Sequence, residues 1–504
     1  MAASRQEFPV YEVGFDNDQY LRLQSESITE RIKMFGNKLY LEFGGKLFDD
    51  YHASRVLPGF AHDSKVRLLK TLADQAEIVI TINAATIDSN KVIGDTGISY
   101  DDDVLRLIDA FRDSGLYVGS VVISQYTGQS AADNFKAYLE QLGLTVYMLH
   151  YIPEYPSNIP LVLSDDGFGK NDYIKTSRPL VVVTAPGPGS GKMTTCLSQM
   201  YHESKHGVKA GYAKFETFPI WNLPLKNMVN LAYEAATADL NDVNMIDPFH
   251  LEAYGVSAVN YNRDIEMFPV LNSIFKTFWG VSPYKSPTDM GVNMVGFCIT
   301  DEAVCAEASK QEIIRRYFGA QCDFAAGLID RSPVNKLELL MNNSETSVLD
   351  RLVVGAARDK ATATDSPSAA MELVDGAIVT GKTSALLGAS AAALLNALKH
   401  LAGIDPKMPI ISPVVIEPIQ NLKVGFLGND NPRLHTDEVL IALAICAATS
   451  PIAEMVLKQL PKLDKAEFHS TVILSQVDIN VLRQLGVNVT CEPVYQTKRL
   501  FHKR

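Results

Sequence analysis

Leu180-Val-Val-Val-Thr-Ala-Pro-Gly-Pro-Gly-Ser-Gly-Lys-Met-Thr-Thr195 reads as an apolar strand, a glycine-rich loop and the first turn of a helix. Glycines at 187, 189 and 191 let backbone N–H groups converge on an anion. Lys192 adds a point charge, and the unpaired amides of a helix start add a partial one. The stretch departs from the Gly-x-x-x-x-Gly-Lys-[Ser/Thr] pattern twice: Pro186 stands at the first glycine, and Met193 replaces the hydroxyl residue that would ligate magnesium. Pro186 cannot take the positive φ open to glycine, so the loop must enter by another path. Thr194 and Thr195 follow Met193, and either can meet a metal in a shifted register, Thr194 being the first choice. A strand-to-helix turn using glycine only for packing is the plainer reading, but it does not call for three glycines, a serine and a lysine together. Gly187, Gly189, Ser190, Gly191, Lys192 and Thr194 are therefore the expected phosphate-binding set.

Outward from this loop, the first 180 residues alternate between two periods. Strands are expected at 39–43, 78–82, 118–124, 145–149 and 180–184, with helices at 64–75, 102–113 and 130–142. Strands separated by helices of this length predict βαβ units and an α/β fold with a doubly wound, mainly parallel sheet. A helix over 192–206 and a strand over 208–215 add one more unit. From about 220 the chain turns mainly helical, at 222–242 and 260–279, before an expected strand at 294–299 and a helix at 309–318. The small, polar stretch 356–370 reads as a flexible connection. Beyond it lie expected helices at 384–401, 436–447 and 479–485 and strands at 410–412, 471–474 and 487–490. This gives an α/β domain carrying the loop (1–220), a helical insertion (221–335) and a C-terminal α/β or α+β domain (336–504).

Other stretches compete with the loop. Residues 376–383, Gly-Ala-Ile-Val-Thr-Gly-Lys-Thr, fit the phosphate-loop pattern letter for letter, yet their apolar middle favours a strand fed by a turn at Asp375-Gly376. After the first strand, Glu42-Phe-Gly-Gly-Lys46-Leu-Phe-Asp49-Asp50-Tyr-His52-Ala-Ser-Arg55 gathers bases, acids and a histidine where doubly wound sheets bind ligands. Asp49, His52 and Arg55 are candidate catalytic groups beside Lys192, and Lys46 is a candidate ligand contact. His202-Glu-Ser-Lys-His206 is a literal His-Glu-x-x-His, but both histidines fall opposite the apolar helix face and Gly207 ends the helix at once. Zinc is not expected there. Asp301 is the acid best placed to accompany Thr194 on magnesium, with Asp247 second. Before the apolar helix from 436, Thr436 or Asn431 reads as a cap and Arg433 and His435 as alternative anion contacts, and His469 reads as structural.

The composition, 47% hydrophobic and 21% charged, is that of a water-soluble globular chain, and 504 residues exceed one ordinary core. A net charge of −12 opposes a large nucleic-acid surface. Six scattered cysteines without a Cys-x-x-Cys pair predict reduced core thiols. No apolar run reaches membrane-spanning length, and the first residues lack a signal-peptide core, so a cytoplasmic location is expected. A homo-oligomer is left open.

Read together, Leu-Glu-Phe-Gly-Gly-Lys-Leu-Phe-Asp-Asp-Tyr-His-Ala-Ser-Arg at 41–55, Thr-Ala-Pro-Gly-Pro-Gly-Ser-Gly-Lys at 184–192, Lys-Phe-Glu-Thr-Phe-Pro-Ile-Trp-Asn-Leu-Pro at 214–224 and Asn-Pro-Arg-Leu-His-Thr-Asp-Glu-Val at 431–439 resemble the bacterial family defined by domain of unknown function 1846. The resemblance covers essentially the whole chain and implies a cytosolic bacterial protein with several α/β and helical parts. The chemistry must come from the residues. The leading expectation is an enzyme that binds ATP with magnesium, or another phosphorylated small molecule, for phosphoryl transfer or ATP-driven condensation. The alternatives are an enzyme acting on a phosphorylated metabolite without nucleotide, and a non-catalytic ligand sensor or scaffold.

Overall fold

In the computed structural model, which describes residues 12–45, 47–48, 50–91, 98–240 and 242–497, the apolar runs of the first half become strands of one sheet. They are β1 (Leu39–Phe43), β2 (Ala76–Asn83), β3 (Tyr117–Tyr126), β4 (Val146–His150), β5 (Leu180–Thr184) and β6 (Gly211–Phe215). After β6 the chain runs through the helix Met228–Ala236, then β7 (Asn244–Ile246), the helix Pro248–Tyr254, β8 (Val259–Tyr261) and the helix Asn262–Trp279. It returns to the sheet as β9 (Gly291–Val292). The sheet order is β4-β3-β2-β5-β1-β6-β9 and every recorded pairing in it is parallel. Every residue of β5 is buried, as expected for a central strand covered on both faces.

The topology decides where chemistry can sit. From β1 the chain crosses β5 to reach β2; from β5 it crosses β1 to reach β6. The two connections therefore leave adjacent strands in opposite directions, which opens a crevice beyond their carboxyl ends. Register brings Glu42 of β1 level with Val183 of β5 and Lys214 of β6. Side chains alternate about the sheet. Leu39, Leu41 and Phe43 lie on one face, and Tyr40 and Glu42 on the other. The Tyr40 hydroxyl reaches Glu203 of the helix Lys192–Lys205 at 2.8 Å, so this helix covers the Tyr40–Glu42 face. On the opposite face Phe43 and Phe215 stack with ring centroids 4.0 Å apart.

Contacts divide the described residues into two units, one of 13–309 and one of 310–497 together with residue 12. The second contains a mixed sheet of order β11-β10-β12-β13, built from β10 (Ser368–Glu372), β11 (Ile378–Lys382), β12 (Glu467–Ser470) and β13 (Asn488–Cys491). Only β12 and β13 run parallel in it. Among the described residues no helix is long and apolar enough to cross a membrane.

Several expected elements differ from this. The strand expected at 294–299 is a 3-10 turn, Val295–Phe297, and the sheet strand before it is only Gly291–Val292. Asn293 causes the break: its side chain accepts from the Val295 amide and donates to the Thr217 and Pro219 carbonyls. Residues 356–370 are no loose connection. They form most of the helix Leu352–Thr364, capped by Asp365 at φ 47°, and the start of β10. Alanine's helix propensity outweighs the polar look of that stretch. The strand expected at 471–474 lies upstream as β12, where half-buried Glu467 and buried His469 hide the apolar signal. No strand forms at 410–412, and the helix expected from 384 begins at Ala389.

Candidate functional site at the strand ends

The glycine-rich loop leaves β5 and is anchored by its neighbours. The carbonyl of Ser190 accepts from the hydroxyl of Thr81 on β2 at 2.9 Å and that of Ser124 on β3 at 2.8 Å. Asn83 donates its side-chain amide to the Gly189 carbonyl at 3.2 Å, and the Ser190 hydroxyl closes the turn onto the Gly187 carbonyl at 2.8 Å. Gly191 precedes the helix with φ 87°, and a Cβ there would lie 2.6 Å from the Ser124 hydroxyl. Gly187 is pressed against Tyr100, whose hydroxyl would sit 2.6 Å from an added Cβ. The helix Lys192–Lys205 opens directly after Gly191, so the amides of Lys192, Met193 and Thr194 have no partner within it. Thr195 does have a partner: its hydroxyl returns to the Gly191 carbonyl at 2.9 Å.

The charged groups around this loop come from distant parts of the chain. Lys192 is partly buried; burial lowers its ammonium pKa, Glu42 pulls it back up, and Lys214 lowers it again. Lys214 projects from the end of β6, bonds Tyr261 and Asp264, and lies 3.0 Å from Glu216. Burial opposes its charge, but Asp264, Tyr261, Glu216 and Glu42 outweigh that and hold it firmly as a cation. Glu216 is pushed up to about 7, first by burial and then by Asp264, with Lys214 pulling against them. Tyr212 donates to Glu42 at 2.7 Å. Buried Tyr155 has both Thr194 and Glu42 as neighbours. The strand-end crevice thus holds two lysines, three carboxylates and several tyrosines, and its titrating member lies near neutral pH.

The segment after β1 occupies the other face. Lys46 and Asp49 lie outside the described residues. Asp50 caps the helix Tyr51–Val56 and pairs with buried Lys65 at 2.7 Å; burial raises its pKa, but Lys65 more than compensates and holds it ionised. His52 packs edge-on to Phe218 with centroids 5.2 Å apart and lies 6.1 Å from the Tyr233 ring. Tyr233 in turn feels the charges of Lys214 and Glu216, which connects this face to the crevice. Arg55 stands in the last turn of the same short helix.

Asp301 is placed as a helix cap. Its Oδ1 accepts from the amides of Ala303 and Val304 at 2.9 and 3.1 Å, and its own amide reaches the Gly14 carbonyl. Among the described residues no recorded interaction joins it to Thr194, and no group of three or more His, Cys, Asp or Glu residues is arranged to hold a metal. Asp247 likewise caps a helix and accepts from Thr288 at 2.7 Å. In the His-Glu-x-x-His stretch, Glu203 is buried and spent on the hydroxyls of Tyr40 and Tyr173, while His206 stacks on Tyr173. Residues 376–383 give β11 rather than a loop, and Gly381 lies so close to the helix Ala389–Leu401 that a Cβ would meet the Ala393 amide at 2.2 Å. His469 is buried and bonded to Thr490 and Glu492. Arg433 donates to the Ser384 carbonyl at 2.8 Å, and His435 pairs with Asp478 at 3.0 Å.

Sequence reasoning found the loop but passed over Glu42, Tyr155, Lys214, Glu216, Tyr261 and Asp264 as site residues. A signal existed. Leu-Tyr-Leu-Glu-Phe and Gly-Tyr-Ala-Lys-Phe are buried parallel strands that each carry one charge at the penultimate position, a placement that costs free energy unless the charge is paired.

A seven-stranded parallel sheet with helices between its strands defines an α/β protein of doubly wound type. The chain belongs to the family described as domain of unknown function DUF1846, whose N-terminal model matches residues 13–345 and whose C-terminal model matches residues 349–501. It is similar to a UPF0371 protein of Streptococcus pyogenes serotype M3, 59% identical over 491 residues, which is 97% of this chain and 99% of the relative. A UPF0371 protein of Streptococcus uberis is 58% identical over the same shares.

Proposed function

We propose that this protein is an enzyme acting on a phosphorylated small molecule, with the phosphate held at residues 187–194 and proton transfer performed beside it. One observation carries the reading: Glu42 stands level with Val183, near the end of the strand that feeds the loop, and with Lys214 of β6, so the loop and the ionisable cluster leave the same strand ends. In this reading Lys192 and the helix-start amides balance the phosphate charge. Glu216, titrating near 7, takes or returns a proton at neutral pH. Lys214 stays cationic and stabilises negative charge developing on the substrate, while Asp264 and Tyr261 fix its position. Lys46, Asp49, His52 and Arg55 belong to the side of a second substrate or of the non-phosphate end.

A second reading, ATP with magnesium, draws support from Thr194. It stands in the first turn of the helix behind the loop, where its hydroxyl offers a metal a neutral oxygen. Thermal shift and titration calorimetry separate the two. Sugar phosphates that stabilise the protein without magnesium, and lose that effect in Lys192→Met, support the first. Stabilisation by ATP that requires magnesium and vanishes in Thr194→Val selects the second. If inorganic phosphate, sugar phosphates and Mg-nucleotides all leave the melting curve unmoved, both readings fail.

A further inference from the structure

Six free thiols are distributed through the chain, and two of them are neighbours. Cys322, in the C-terminal part of the helix Glu302–Ala325, and Cys491, the last residue of β13, have their sulfurs 3.6 Å apart. The Cys322 thiol also points at the Cys491 carbonyl, 3.3 Å away. Cys322 is partly exposed, so small oxidants reach the pair from solvent. No other two cysteines have their sulfurs in recorded contact among the described residues. Cys298 and Cys305 bond backbone carbonyls instead, and all the other cysteines but Cys322 are buried.

We propose that Cys322 and Cys491 form a modification site, a dithiol that a peroxide oxidises to an intramolecular disulfide. A disulfide needs sulfurs about 2.05 Å apart, so closure requires an approach of about 1.5 Å, within the reach of side-chain rotation and a small shift of the helix end. Either thiol can donate across the pair; when Cys322 does, the bond favours the Cys491 thiolate against the burial and the Glu492 charge that disfavour it, with Arg483 assisting. In the first step the Cys491 thiolate attacks one peroxide oxygen. The O–O bond breaks, a sulfenic acid forms on Cys491, and the other oxygen leaves as water after taking up a proton. In the second step the Cys322 sulfur attacks the sulfenic sulfur, its proton leaves with the hydroxyl as a second water, and the S–S bond closes. The sum is two thiols and one hydrogen peroxide giving one disulfide and two waters. The bond would close a long loop, since the two positions are 169 residues apart, and it would fasten the end of the helix to the edge strand of the C-terminal sheet.

The test is limited hydrogen peroxide treatment of the full chain, followed by alkylation and non-reducing peptide mapping. The expected result is one cross-linked peptide pair containing residues 322 and 491, lighter by two hydrogens, and reversed by dithiothreitol. The melting temperature of the oxidised protein is expected to rise by about 5 °C or more. Cys322→Ser removes the cross-link and leaves Cys491 to stop at the sulfenic or sulfinic acid. If that variant does not fold, the wild-type map still decides. Both thiols remaining alkylatable, oxidation of Cys491 without cross-linking, or a different pairing would overturn the proposal.

Discussion

The hydroxyl of Thr81 donates to the carbonyl of Ser190 at 2.9 Å, so the strand next to β5, rather than the loop itself, sets the loop's path. Ser124 donates to the same oxygen from one strand further out, and the two bonds satisfy a carbonyl that is otherwise turned into the sheet.

Removing these donors singly and together tests whether they act as one clamp. Thr81→Val and Ser124→Ala should each cost about 1 kcal/mol, because the other donor still serves the oxygen. The double variant should cost more than the sum, since it leaves a buried carbonyl unpartnered. Urea denaturation of the four proteins completes the cycle; strict additivity would show that the loop rests elsewhere.

Gly191 combines a left-handed backbone with a neighbour in the way. Gly191→Ala should destabilise by about 2 kcal/mol or more, part from φ and part from the approach to Ser124. Gly191→Ala combined with Ser124→Gly would relieve only the second part. Calorimetric melting temperatures of both variants separate the two contributions.

Glu216 is pushed up to about 7 by burial, and it titrates near the ordinary carboxylate range once unfolded. Between those two values the native protein holds a proton that the unfolded chain has released. Stability contributed here is therefore present at low pH and falls as pH rises through about 7. Glu216→Gln should flatten the decline of melting temperature over this window. A carboxyl band that titrates near 7 in the wild type and is missing in the variant would assign it by infrared difference spectroscopy.

The same sign holds for His435 in the C-terminal unit, whose native pKa is likewise raised. Its bond to Asp478 raises the imidazole pKa despite burial, and the reciprocal attraction holds Asp478 ionised. The stabilisation is complete below the ordinary histidine value of about 6.5 and is lost as pH rises through the higher native value. Asp478→Asn should lower the histidine pKa measured by NMR and remove this pH dependence. It also weakens the start of the helix Thr436–Ala447, whose first amide Asp478 accepts at 2.9 Å.

How far the fold was legible depends on where the information lies. Leu39–Phe43 and Leu180–Thr184 were readable to the residue, because a strand buried on both faces writes a mostly apolar run, broken in the first only by Glu42. The helix Thr436–Ala447 was equally clear. Val295–Phe297 was misread since the interruption comes from Asn293 bonding to residues more than seventy positions away. The same limit applies to the crevice. The loop carries its own local signal, but Glu42, Lys214 and Asp264 become neighbours only through strand order and register, which no local period encodes.

The crossing of the β1 and β5 connections has a consequence for how the chain reaches its native state. Residues 42, 81, 124, 192, 214 and 264 meet only after β5 has been inserted between β2 and β1, two strands synthesised well before it. The crevice therefore has no precursor in the nascent polypeptide, and its long sequence separations place it among the slowly acquired parts of the molecule. Until β6 arrives, Glu42 has neither Tyr212 nor Lys214 to meet it. A chain stalled before residue 211 would therefore lack the Lys214 and Asp264 partners of this cluster altogether.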